Sequence, residues 1–236
     1  DSIGFKDRNY VNVNAHELAH QWFGNLVTET SGSSHWLHEG FATYYALLAE
    51  RHLFGEDYYY WKLYDYAQQL LEQDKAGEST SLLDPKSSSL TFYQKGCWAL
   101  HILNEQIGEV AFKEAVKNYL TKNEYQNVET SDFIDEVENY SGQDVSGFVK
   151  TWLEDAPLPQ NDIVKSLRKS PFIREYEMVD CNPYNEKCSN YLSSELSDKA
   201  KAKVVAQMPN YITIGDFSNH WEVRQAIAQN MVEIPL

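Results

Sequence analysis

A mainly α-helical fold is predicted for this chain on three observations. Apolar residues recur at helical spacing through most of residues 1–159, glycines stand where those runs stop, and no convincing alternating strand appears in that span. Residues 160–236 are more polar and less regular, yet two stretches there also read as helices. The expected organisation is a helical lobe over 1–159 followed by a further helical segment over 160–236. At 236 residues, with 42% apolar and 14% aromatic content, the chain has material for a proper core. Its net charge of −15 excludes nucleic acid as a partner, because phosphate contacts need clustered Lys and Arg. An acidic field favours cationic ligands such as peptide amino termini, although solubility alone also accounts for it. There is no apolar run long enough to span a bilayer and no signal-peptide pattern at Asp1. A chain that opens on Asp is expected to be a fragment or a processed product.

The first helix is expected between Asp7 as its N-cap and Gly24 as its stop, with Val11, Ala15, Leu18 and Trp22 as an apolar stripe. His16 and His20 lie off that stripe. Four apart, they sit one turn above each other on one face and can grip the same Zn²⁺. Glu17 projects beside such a metal, where a base acting on water belongs. Eighteen residues separate His20 from Glu39, which opens a second apolar run, FATYYALLAE. Its carboxylate can return to the metal as third ligand. Two His, one carboxylate and an open fourth position describe a hydrolytic centre; a structural one is closed by four protein ligands.

The later elements follow in order. Helices are expected over 41–55, stopping at Gly55, and over 56–77, stopping at Gly77. The six aromatics of the second occupy several faces, as packing between neighbouring helices requires. Residues 78–89 are a loop with a turn at Asp84-Pro85. Helices over 89–107, ending at Gly108, and over 110–122 come next. DFIDEVENYSG, capped by Thr130 or Ser131, and QDVSGFVKTWLED supply two more. In the tail, SDKAKAKVVAQM and HWEVRQAIAQNM read as helices capped by Ser197 and Asn219, the last resembling one unit of an α-solenoid. Cys97 sits in an apolar helix and is expected to be a core thiol. Cys181 and Cys188 either pair locally in an oxidising compartment or stay free in the cytosol; sequence leaves both open.

The words HELAHQWFGNLVT and WLHEGFATYY, with FYQKG at residues 92–96 as a Tyr-x-Lys-Gly segment, resemble the aminopeptidase N family of gluzincin zinc metallopeptidases. The resemblance covers residues 1–159. It implies the helical lobe of a thermolysin-like catalytic domain, one Zn²⁺ per chain on His16, His20 and Glu39, Glu17 as general base, and Tyr93 as the phenol facing the transition state. It further implies a peptide substrate cut at its amino-terminal residue, with Glu39 near the free amine. Two departures stand out. His38 occupies a position where the family usually has Asn, and the Gly-x-Met-Glu-Asn segment that holds the amine is not in this chain. That segment belongs to a preceding β lobe of the same polypeptide, so the chain alone is expected to be weakly active or inactive.

His35 and His38 flank Glu39 and compete as ligands, but the spacing favours Glu39; His38 is more credible near the substrate. Thr43, one turn after Glu39, is expected to donate a hydrogen bond to that carboxylate. His52, His101 and His220 read as ordinary helix residues, and Lys95 as structural. Two alternatives to an aminopeptidase remain: an epoxide hydrolase using the same zinc triad, and a non-catalytic zinc-bound helical module.

Overall fold

The structure, a computed structural model, describes residues 8–183, 186–207 and 221–233. It is mainly α. The chain divides into two compact units, Asp1–Ser166 and Leu167–Leu236. No helix among the described residues is long and apolar enough to cross a membrane.

In the first unit, α1 (Arg8–Ala19) packs on α2 (Trp36–Phe54). The helix stops at Ala19, before the expected Gly24, although the His20 N–H still bonds His16 O at 3.3 Å and prolongs the last turn. The expected apolar stripe is not the buried face. Leu18 and Trp22 are 59% and 46% exposed, whereas His16, Ala19 and Phe23 are buried. Spacing alone cannot say which side of a helix its neighbour takes. Here α2 takes the side that carries the histidines. Asp7, Asn219 and His220 lie outside the described residues.

α2 begins at Trp36, ahead of the expected Phe41, because a 3₁₀ turn at Gly32–Ser34 hands the chain straight into it. Glu39 thereby falls in the first turn, where the helix dipole favours a carboxylate. Trp36, Leu37, Phe41, Tyr44 and Leu47 are buried on several sides of α2. Burial all round marks a central helix, and α1, α3 (Glu56–Lys75) and α4 (Gly96–Ile107) all pack on it. Of the α3 aromatics, Tyr59 and Tyr66 are buried and Tyr58, Tyr60, Trp61 and Tyr64 half-buried, as helix–helix packing requires. Cys97 is a free, buried thiol whose pKa is raised by burial.

One turn ahead of α4, Thr91–Lys95 is wound as a π-helix. At the start of α4 the backbone of Gly96 meets that of Gly40: a Cβ on Gly96 would stand 2.8 Å from Gly40 Cα. Only glycine permits that approach. The remaining helices of the unit are α5 (Glu109–Lys122), α6 (Thr130–Ser141), the short α7 (Ser146–Phe148) and α8 (Gln160–Leu167). α7 runs on as a second π-helix, Val149–Glu154, where one α-helix was expected.

Two strands too short to show alternation, β1 (Thr28–Glu29) and β2 (Asn127–Val128), pair in parallel with Glu29 opposite Val128. The N-cap of α6 is Glu129, not Thr130 or Ser131. The Asp132 carboxylate accepts the Glu129 N–H at 2.7 Å, while Thr130 Oγ1 is drawn away to accept the Trp36 indole N–H at 3.0 Å.

The second unit holds α9 (Pro171–Met178), α10 (Glu186–Tyr191), α11 (Asp198–Gln207) and α12 (Trp221–Glu233). α9, not anticipated, has Ser170 accepting the Ile173 N–H and Pro in its first turn. Ser197 caps α11 as expected, accepting the Ala200 N–H at 3.3 Å. Cys181 and Cys188 form a disulfide, packed with Val179, Ala200 and Val204 in a small core.

Candidate metal centre

His16, on the buried face of α1, and His20, just past its end, point their Nε2 atoms at the first turn of α2. His16 Nε2 lies 3.2 Å from His20 Nε2 and 3.2 Å from Glu39 Oε2; His20 Nε2 lies 3.5 Å from the same oxygen. Ligands held about 2.0–2.2 Å from one tetrahedral ion stand roughly this far apart. His20 Nδ1 donates to the Phe23 carbonyl at 2.9 Å. That bond fixes the tautomer and leaves the Nε2 lone pair facing the other two ligand atoms, as metal-binding imidazoles require. The donor set therefore fits Zn²⁺.

Burial by itself would raise the Glu39 pKa. Hydrogen bonds from His16 and Tyr93 and the nearby His20 outweigh it, and the net shift is downward. Glu39 is thus held as the anion a metal needs. Tyr93 comes from the π-helical turn, which the Gly40–Gly96 crossing brings against α2. Such turns recur at functional sites. Its ring stacks on His16, and its phenol is pushed up to about 12 by burial, by its hydrogen bond with Glu39 and by the charges of Glu39 and Glu17. At neutral pH it remains a protonated donor. Glu17 is exposed. It lines a cavity of about 260 Å³ together with His16, Tyr93, Asn12, Thr43 and Gln94.

Lys95 is structural, as expected. Its buried ammonium donates to the carbonyls of Thr80, Asp155 and Ala156 at 3.3, 2.7 and 3.1 Å, which ties down the turn carrying Tyr93. Burial lowers its pKa to about 8. His101 is more than an ordinary helix residue: buried, it bonds Tyr59 Oη and Ser166 Oγ, each at 2.8 Å.

Two expectations change. Thr43 does not support Glu39: its Oγ1 is buried without a hydrogen-bond partner among the described residues. His38 is not among the residues lining that cavity, and both its ring nitrogens are engaged by Glu29. The Glu29 N–H donates to Nε2 at 2.9 Å, and Nδ1 lies 3.3 Å from Oε2 of the same residue. Burial, the largest cause, lowers the His38 pKa against the opposing Glu29 charge. Glu29, which sequence reasoning passed over, is the acid that engages both His35 and His38. Eight residues separate Glu29 from His38, at no helical spacing, and the turn between β1 and α2 gathers the three.

The family model described as "Peptidase family M1 domain" matches residues 3–152. Among curated proteins, aminopeptidase M1-D of Oryza sativa is 34% identical over 154 residues, covering 61% of this chain and 18% of its own length. The chain thus spans less than a fifth of that relative. Among solved structures, an M1 zinc metallopeptidase of Deinococcus radiodurans bound to a Tyr-Ser-Ala substrate superposes with a TM-score of 0.56 at 27% identity. That match covers 67% of this chain and 35% of the other. Native yeast leukotriene A4 hydrolase has a TM-score of 0.62 at 19% identity over 96% of this chain and 42% of its own, a likeness of fold alone.

Proposed function

The chain belongs to peptidase family M1, the aminopeptidase N family of gluzincins, and from that membership we propose that it carries the zinc centre of an aminopeptidase. The observation that carries this reading is the convergence of His16 Nε2, His20 Nε2 and Glu39 Oε2 at 3.2–3.5 Å, with the His20 proton held away on Nδ1. One Zn²⁺ there would polarise the scissile carbonyl and activate a water. Glu17, beside His16 and open to solvent, takes the proton of the attacking water and returns it to the departing amine. Tyr93, its phenol pushed up by burial and by its bond to Glu39, donates a hydrogen bond to the developing oxyanion. Glu39, besides ligating, meets the free amine of a peptide entering the cavity. The substrate is a peptide with an unblocked amino terminus; the Deinococcus relative, a point mutant, is bound to a Tyr-Ser-Ala substrate. We assign the helical lobe of the catalytic domain to residues 1–159 and a further helical segment to 160–236, with the compact packing of the first unit carried on through α8 to Ser166.

The test is metal analysis joined to amide hydrolysis. Wild-type protein is expected to bind one zinc, and His16→Ala and Glu39→Ala to lose it. Glu17→Gln is expected to keep zinc while whatever turnover of an amino-acid amide the wild type shows, weak as it is expected to be for this chain alone, falls by about 10²–10⁴. Unchanged zinc in both ligand variants overturns the centre. Epoxide hydrolysis without amide hydrolysis overturns the substrate class.

A further inference from the structure

We propose that Asn12 selects the residue that follows the cleaved bond, favouring a side chain that donates a hydrogen bond, and that the buried Glu50, backed by Tyr58, aims it. The inference rests on the aminopeptidase reading above and deepens it. Asn12 stands one turn before His16 on α1 and lines the same cavity of about 260 Å³. Glu17, which returns a proton to the departing amine, also lines that cavity; Glu39, which meets the free amine, does not. The occupant of the cavity is therefore the residue on the leaving side of the bond. Glu50 is 1% exposed on α2; its Oε2 accepts from Asn12 Nδ2 at 2.9 Å and its Oε1 from Tyr58 Oη at 2.8 Å. A carboxylate accepts and does not donate, so the nitrogen of the Asn12 carboxamide must face Glu50 and its oxygen is left over. That oxygen, Oδ1, takes no hydrogen bond among the described residues and is open to solvent. Thr43 Oγ1 and Gln94 Oε1, from the same lining, are sealed off. Asn12 thus holds out an oriented acceptor that a bound side chain can reach.

The same bond joins α1 to α2, which raises a helix brace as the rival account. Chemistry argues against a brace alone. Burying an acid costs free energy that an apolar contact at the same place would not, and packing suffices to hold two helices together. What a carboxylate adds is control over which end of the Asn12 carboxamide stays free.

The full chain, loaded with zinc, is titrated calorimetrically with phosphinic dipeptide isosteres, uncleavable ligands whose phosphinate binds zinc. Their second side chain is that of Asn, Leu or Asp, three of nearly one shape. Wild type is expected to bind the Asn ligand about 2–10-fold more tightly than the Leu ligand, the worth of one net hydrogen bond, and the Asp ligand most weakly. In Glu50→Met the preference for Asn over Leu is expected to fall towards one at unchanged zinc content, because the carboxamide is free to turn. The double variant Asn12→Leu/Glu50→Met removes both polar partners together, so neither is stranded, and it is expected to favour the Leu ligand. Thermal melting of each protein reports the brace: lowered melting temperatures with wild-type ligand preference overturn the inference. Equal binding of the Asn and Leu ligands by zinc-loaded wild type overturns it and leaves the zinc reading standing. Zinc-loaded protein that binds none of the three overturns the leaving-side placement. Wild-type protein that binds no zinc overturns the aminopeptidase reading, and this inference falls with it.

Discussion

The Tyr93 ring lies flat against the His16 imidazole, with centroids 5.3 Å apart and planes 7° from parallel. The ring packs on a proposed metal ligand while the hydroxyl bonds Glu39, so Tyr93→Phe separates the two roles. The variant is expected to keep zinc and KM near wild type while kcat falls, because an oxyanion donor acts mainly in the transition state. Steady-state kinetics at matched zinc content checks this; undiminished kcat removes Tyr93 from the chemistry.

Gly96→Ala places a methyl 2.8 Å from Gly40 Cα, where no flexible side chain can yield. Helices α2 and α4 must part, at about 1–3 kcal/mol. Because the turn carrying Tyr93 leads directly into Gly96, the shift should lower kcat as well as the melting temperature. Thermal melts and kinetics on the same preparation measure both.

Lys95 gives a pH signature. Its pKa falls on folding to about 8, so the unfolded chain, with a lysine near 10.4, binds the proton more tightly. Stability contributed by Lys95 therefore rises with pH between about 8 and about 10.4, and below about 8 the burial cost is present in full. Lys95→Met strands three carbonyls and is expected to melt lower at pH 7, with the gap to wild type widening towards pH 10. Parallel melts across that range test it; a constant gap rejects the depressed pKa.

Reduction of the Cys181–Cys188 disulfide is expected to loosen the second unit and leave the first alone. The closed loop is short, and cross-links of that kind are worth about 2–3 kcal/mol, a large share for a unit whose core clusters are small. Limited proteolysis with and without reductant should show cleavage gained beyond Leu167, at constant zinc content.

Much of the centre was legible because it is local. His16 and His20 are related by one helical turn, and Glu39 follows on the next helix, so spacing and residue chemistry sufficed to single out three side chains that the fold brings together. Tyr93 needed the family's segment, since a tyrosine beside an apolar run has no local mark of function. What escaped is set by tertiary packing. Which side of α1 is buried depends on α2, and the stripe through Leu18 and Trp22 misled on that point. Thr43 sits at the right helical offset from Glu39, yet its hydroxyl finds no partner. Glu29 reaches His35 and His38 only because a two-residue strand pairs with residues a hundred positions away. α9 was missed although Ser170-Pro171 is a helix-start signal, because the polar segment around it has little periodicity.

That parallel pairing also bears on how the protein is made. At roughly 5–20 residues per second, Glu39 leaves the ribosome within about 1–4 s of His20, so a complete ligand set exists early. Asn127 and Val128, which hold Glu29 in place, follow only about 5–20 s later. The last strand of the first unit to be synthesised is therefore the one that fixes the chain between His20 and Glu39 after both are already present.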